Sequence, residues 1–168
     1  MPHNSCRIAA PPRRVFAVLA DPRSYAYWVV GSNRIRGADP DWPAVGSAFH
    51  HTVGLGPLKV NDHTVVEAVD PPRMIRLLAK ARPLGTARVT LELRRRGRGT
   101  VVTMTERPGD MATALVFNPL TRLVVRGRNE WSLERLKDLV EGRVEMPDES
   151  EPSRWSFRRR PAADDGDR

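Results

Sequence analysis

Two groups of residues in this chain have the types and spacing to do chemistry. The first lies on RLVVRGRNEWSLERLKDLVEG, residues 122–142. At 3.6 residues per helical turn Leu133, Leu136 and Val140 share a face, and stepping that face backwards reaches Asn129, Arg126 and Arg122. A stripe that changes from apolar to cationic has two readings. In one, the first half of the helix lines a cavity, and Arg126 and Asn129, together with Arg122, orient the polar head group of a ligand. Isolated buried cations are expensive, so these arginines then need a carboxylate, a ligand oxyanion or water within reach, and Glu67, Glu92 and Glu106 are candidate partners. Trp131 would then sit on the outer face and mark a partner or membrane contact. In the other reading, a kink at Asn118-Pro119 rotates the helix, the arginines are surface residues with snorkelling stems, and Phe117, Leu120, Val124 and Trp131 form the packing face.

The second group is FHHTVG, residues 49–54. Adjacent residues of a strand point to opposite faces, so only one of His50 and His51 enters the interior. His51 keeps apolar company with Phe49 and Val53, although Ala48, His50 and Thr52 also make an acceptable cavity face. His63, on the next strand, has Val65, Glu67 and Val69 as same-face neighbours. An inward histidine beside Glu67 has its charge change near neutral pH and suits acid–base work in an enolisation or dehydration. His51 is the candidate catalytic residue. The competing reading is a hydrogen-bonded or exposed histidine with no catalytic duty.

Other chemistries find little support. Four histidines and one cysteine show no ligand spacing, and consecutive strand positions cannot converge on one ion, so no metal is expected. There is no GxSxG, and Cys6 lacks a cue for activation. Gly54-Leu55-Gly56-Pro57 continues as neither GxGxxG nor GxxxxGK, which makes it a turn, and no cofactor is expected.

The elements that must position these residues are legible as a change of period. HNSCRIAA, residues 3–10, has extended character. PPRRVFAVLAD then opens a helix with proline in its first turn and Val15, Phe16 and Leu19 on its buried side. DPRSYAYWVVG repeats the pattern, with Asp21 as N-cap, Pro22 in the first turn and Gly31 as the stop. Strands are expected at 33–38, 47–53, 58–69, 73–81, 85–96 and 99–106, separated by ADPDWPAVG, GLGP, DPPR, RPLG and RGRG. In TARVTLELR, Ala87, Val89, Leu91 and Leu93 alternate with polar residues, so one face is dry and the other wet. Short loops between successive strands imply an antiparallel meander. Residues 110–142 then read as one long helix. The order predicts an α+β fold in which a curved sheet wraps around the C-terminal helix.

The 168 residues suffice for one domain with a core. We expect a ligand-binding domain over 1–146 and a disordered, charged tail over 147–168. The net charge of +8 belongs to the body, which has 23 basic and 14 acidic residues, whereas the tail has 5 and 6. A single cysteine fits a reducing compartment, no apolar run is long enough to span a membrane, and the N-terminus carries no signal pattern, so a cytoplasmic location is expected. The basic body and the RWSFRRR segment offer weak contact with an anionic membrane. At 6% aromatic residues base stacking is poorly supplied, and no specific nucleic acid is expected.

The order β-αα-β6-α, with APPRRVFAVLADPRSYAYWVVG at the front, DPP between two central strands and TVVTMTE before the final helix, resembles the START/birch-pollen-allergen-like superfamily and its helix-grip fold. Within it the chain is most similar to SRPBCC proteins of the polyketide cyclase/dehydrase and lipid-transport type. The resemblance covers roughly residues 3–142, and Ala10, Pro11, Val15, Phe16, Leu19, Asp21, Pro22, Tyr25 and Trp28 meet the pattern APxxVFxxLxDPxxYxxW. It implies an apolar cavity between sheet and long helix that holds a hydrophobic or amphipathic, lipid- or polyketide-like small molecule. Some relatives cyclise or dehydrate such molecules and many only bind them. The family supplies no universal catalytic motif, so the site residues rest on their own chemistry. Binding is the leading expectation. The alternative is an aromatase/cyclase or dehydratase using an inward histidine and an Arg/Asn pair, and the minor one is the basic surface module.

Overall fold

Alternating apolar and polar side chains build the centre of the molecule. In the computed structural model, which describes residues 3–55, 58–80, 85–110 and 119–146, seven strands form one antiparallel sheet in the order β1-β7-β6-β5-β4-β3-β2. They are β1 His3–Ile8, β2 Ser32–Ala38, β3 Ala48–Leu55, β4 Leu58–Asp70, β5 Met74–Lys80, β6 Thr86–Arg96 and β7 Gly99–Pro108. Strands β2 to β7 are a meander, and β1 pairs with β7, placing Cys6 opposite Val102. Residues paired across a ladder share a face, so Leu77, opposite Val89, and Leu91, opposite Met104, turn to one inner side. The wet residues of β6 occupy the other side.

Two short helices follow β1. Helix α1, Pro12–Leu19, buries Val15, Phe16 and Leu19 and has proline in its first turn, where a missing N–H costs nothing. Asp21 Oδ1 accepts from the backbone N–H of Arg23 at 2.9 Å and starts a 3-10 turn, Pro22–Ser24, that runs into α2, Tyr25–Trp28. Gly31, with φ of 96°, takes the left-handed conformation needed for the turn into β2.

The long helix α3 spans Pro119–Val140 and buries Leu133, Leu136 and Val140. It ends in a Schellman-type turn, in which Gly142 has φ of 73° and Arg143 N–H donates to Asp138 C=O at 2.9 Å. It leans chiefly on β1 and α2 and touches β7 lightly. Asn4 Nδ2 donates to Arg126 C=O at 3.1 Å, and Val30 N–H donates to Ser132 Oγ at 3.1 Å. The helix is thus held at one edge of the sheet, leaving a gap over the inner face of the middle strands.

This is the expected α+β architecture, with strand ends shifted by a residue or two. The first part of the expected helix, with Phe117 and Asn118, lies outside the described residues, as do Gly56, Pro57 and the proposed tail 147–168. Among the described residues no helix is long and apolar enough to cross a membrane. Val124 and Trp131 are exposed, Trp131 at 55%, so the packing face is the Leu133 stripe. Leu136→Ala is therefore expected to cost about 2–5 kcal/mol of unfolding free energy in urea titrations. Val124→Ala should stay within about 0.5 kcal/mol.

Candidate functional site

The alternation that puts Val102 and Met104 on the inner face of β7 also sends Glu106 inward, where it is only 4% exposed. A buried carboxylate needs partners. Helix α3 supplies two: Asn129 Nδ2 donates to Glu106 Oε2 at 2.8 Å, and Arg128 Nη2 donates to the same oxygen at 2.6 Å. Arg128 also donates to Asn129 Oδ1 at 3.2 Å. Asn129 is 2% exposed, whereas the Arg128 side chain is 40% exposed and brings its head in from the flank of the helix.

These three residues form part of the wall of a cavity of about 110 Å³ between the inner sheet face, α2 and α3. Tyr25 and Trp28 of α2, Phe49 of β3, Leu77 of β5, Val89 of β6 and Met104 of β7 make the wall mostly apolar. The rings of Tyr25 and Phe49 are 4.7 Å apart, and the Tyr25 hydroxyl donates to Leu19 C=O at 2.9 Å, so its polar end is spent on the scaffold. Ser32, His51, Thr64, Lys80 and Ser132 add polar groups.

His51 is the inward histidine of its pair, at 6% exposure, and His50 is exposed. Its Nε2 is 3.0 Å from Thr64 Oγ1, and its Nδ1 is buried without a hydrogen-bond partner. Burial pushes its pKa below the ordinary 6.5, with the charges of His63 and Arg36 acting the same way. The Asp62 carboxylate and the His63 backbone oppose this shift, the latter without satisfying Nδ1. The imidazole is accordingly neutral at pH 7.

The other sequence candidates lie elsewhere. Arg126 and Arg122 are exposed and do not line the cavity. The stripe reasoning put their side chains in line with the leucines, but at Arg126 it is the backbone that meets the sheet edge, its carbonyl receiving Asn4 of β1. His63 pairs with His50 in the β3–β4 ladder and so lies on the face opposite His51, half-buried. Glu67 sits at a bulge and accepts from Arg88 Nη2 at 2.8 Å, which holds its carboxyl below the usual range. Glu92, flanked by the inward Leu91 and Leu93, faces out towards Arg94, 3.5 Å away. The structure thus brings together His51 and Asn129 of the predicted set.

Arg128, Thr64 and Ser32 were not singled out by the sequence. Glu106 carried a signal, because a carboxylate continuing the inward run of Val102 and Met104 demands a cation or amide from the facing helix. Among the described residues no cluster of His, Cys, Asp or Glu could hold a metal ion. Burial pushes the Cys6 thiol up to about 11, so it is protonated at neutral pH.

The His51 shift has a definite sign. A histidine whose pKa is lowered by folding binds fewer protons folded than unfolded, so its contribution to stability is complete above about 6.5 and is lost as pH falls towards the folded value. Unfolding free energy measured between pH 7.5 and pH 5 (roughly the titration range of a histidine) should fall less steeply in His51→Gln than in the wild type. An unchanged slope would mean that His51 does not titrate with folding.

Among curated proteins none matches the chain. Similar solved structures include protein CV1439 from Chromobacterium violaceum, 21% identical with a TM-score of 0.59, covering 82% of this chain and 98% of that one. The Aha1 dimer from Colwellia psychrerythraea is 16% identical with a TM-score of 0.60, covering 83% and 94%. CalU16 from Micromonospora echinospora is 18% identical with a TM-score of 0.58, covering 83% and 73%. At such identities the likeness is one of fold. The family model described as polyketide cyclase/dehydrase and lipid transport matches residues 3–141, and the chain belongs to that family.

Proposed function

We propose that the chain binds a small hydrophobic or amphipathic molecule in the cavity beneath α3. The observation that carries this reading is the wall itself: most of its accessible surface is aromatic and aliphatic, and polar side chains from β2, β3, β4, β5, β7 and α3 are set into it. Such a wall rewards transfer of an apolar body from water, and its polar groups orient what enters. In this reading Asn129 and His51 are the ligand-facing residues of the original set. Arg128 takes the part first assigned to Arg126, because its guanidinium meets Glu106 at the wall. A cytoplasmic location accompanies the proposal, in keeping with the free Cys6 thiol.

Native mass spectrometry of the purified protein, followed by organic extraction, tests this directly. We expect an apolar species released on denaturation, or uptake of an added one. Val89→Phe, which fills the cavity from β6, should reduce occupancy by about tenfold or more, since a ring added to the wall excludes its equivalent from the ligand. Arg122→Ala and Arg126→Ala should leave it unchanged. Equal occupancy in Val89→Phe would show that any bound molecule lies elsewhere.

The partner-free Nδ1 of a neutral histidine inside the cavity also favours an acid–base enzyme as the second reading, of the cyclase or dehydratase kind. The discriminating assay is deuterium exchange at the central carbon of a bound cyclic 1,3-diketone. An enzyme of this type speeds exchange, and His51→Gln loses the acceleration while keeping the ligand. A pure binder leaves exchange at its solution rate in both proteins.

A further inference from the structure

Two polar atoms in the cavity wall are unaccounted for. His51 Nδ1 and Ser32 Oγ are both buried, and neither has a hydrogen-bond partner among the described residues. Both residues line the cavity. The β2–β3 ladder sets them on one face of neighbouring strands, because Ser32 is opposite Val53, two residues along β3 from His51. Leaving a buried polar atom unpaired costs roughly 1–3 kcal/mol. Two such atoms at one apolar cavity point to a ligand that completes them.

Their chemistry narrows what that ligand is. The Thr64 hydroxyl at His51 Nε2 either donates or accepts, so Nδ1 presents either an N–H or a bare lone pair. A hydroxyl answers both cases, since it donates and accepts, whereas a carbonyl answers only one, and a carboxylate also only accepts and would bring a second negative charge towards the Asp62 carboxylate that already acts on this imidazole. The size is equally restrictive. A cavity of about 110 Å³ is of the same order as an engineered apolar cavity of about 150 Å³ that takes benzene. It has room for one six-membered ring. Tyr25, Trp28 and Phe49 offer ring faces and edges to meet it.

From this cavity, and resting on the binding reading above, we infer that the ligand group seated here is a single-ring phenol or enol whose hydroxyl hydrogen-bonds His51 Nδ1. Ser32 Oγ takes a second polar substituent where the ligand has one. A bare hydrocarbon ring of the same size leaves both atoms unpaired.

Phenol and toluene separate the two ideas, because they are nearly the same shape and differ in replacing O–H by CH3. Calorimetric titration of the full chain with each compound is expected to favour phenol by roughly tenfold, although toluene is the more hydrophobic. The advantage should vanish in His51→Leu. Should that variant fail to fold, the Nδ1 nitrogen resonance of wild-type His51 provides the second readout, and it must move on addition of phenol and not of toluene. Toluene binding as well as or better than phenol would overturn the inference while leaving the binding proposal standing. Neither compound binding would overturn both. A phenol preference that persists in folded His51→Leu, or an Nδ1 resonance unmoved by phenol, would also overturn the assignment to His51.

Discussion

The buried carboxylate of Glu106 is the constraint on which the arrangement of sheet and helix depends. It stands on the inner face of β7, where neighbouring positions carry Val102 and Met104, and one of its oxygens receives both Asn129 and Arg128 from α3. An ionised group in this place is tolerable only while those donors stay in reach. The helix therefore cannot slide or rotate over the sheet without uncovering a charge. Apolar packing of Leu133, Leu136 and Val140 against the core would by itself allow many nearby registers, and the polar contact selects among them.

The same contact keeps the cavity from collapsing. Helix α3 is anchored at the β1 edge through Asn4 and against the end of α2 through Ser132, while Glu106 sets its distance from β7. The aromatic residues of α2 and β3 brace the other side, with Tyr25 and Phe49 in ring contact and the Tyr25 hydroxyl tied to Leu19. What remains between these supports is a space walled largely by hydrocarbon. Polar work inside it falls to side chains whose partners are partly supplied by the protein, and His51 Nδ1 is a buried nitrogen with no partner among the described residues.

Most of the architecture was readable from the sequence because it rests on periodicity. Alternation in TARVTLELR, the proline and aspartate at the starts of the short helices, and the Val15, Phe16 and Leu19 stripe each carry local information about which side is buried. Alternation required one of His50 and His51 to be inward and the apolar company of Phe49 and Val53 favoured His51, but the face of Ala48, His50 and Thr52 stayed open until the sheet's inner side was known. The site was harder. Arg126 lies on the extended leucine stripe and Arg128 does not, yet Arg128 reaches the carboxylate, because a long side chain covers the offset. Helical angle alone does not say how far a flanking side chain reaches. Likewise Glu67 and Glu92 are as acidic as Glu106, and only the face on which each strand residue lies separates them, a distinction the bulge at Glu67 obscures.

The central claim is that the space between β7, α2 and α3 is an apolar cavity open to a ligand. A crystal exposed to xenon under pressure tests it without assuming any ligand chemistry, since xenon enters dry apolar cavities and avoids polar ones. The account predicts a xenon peak among Phe49, Leu77, Val89 and Met104. A cavity that excludes xenon and instead holds a cluster of ordered waters hydrogen-bonded to one another would contradict it.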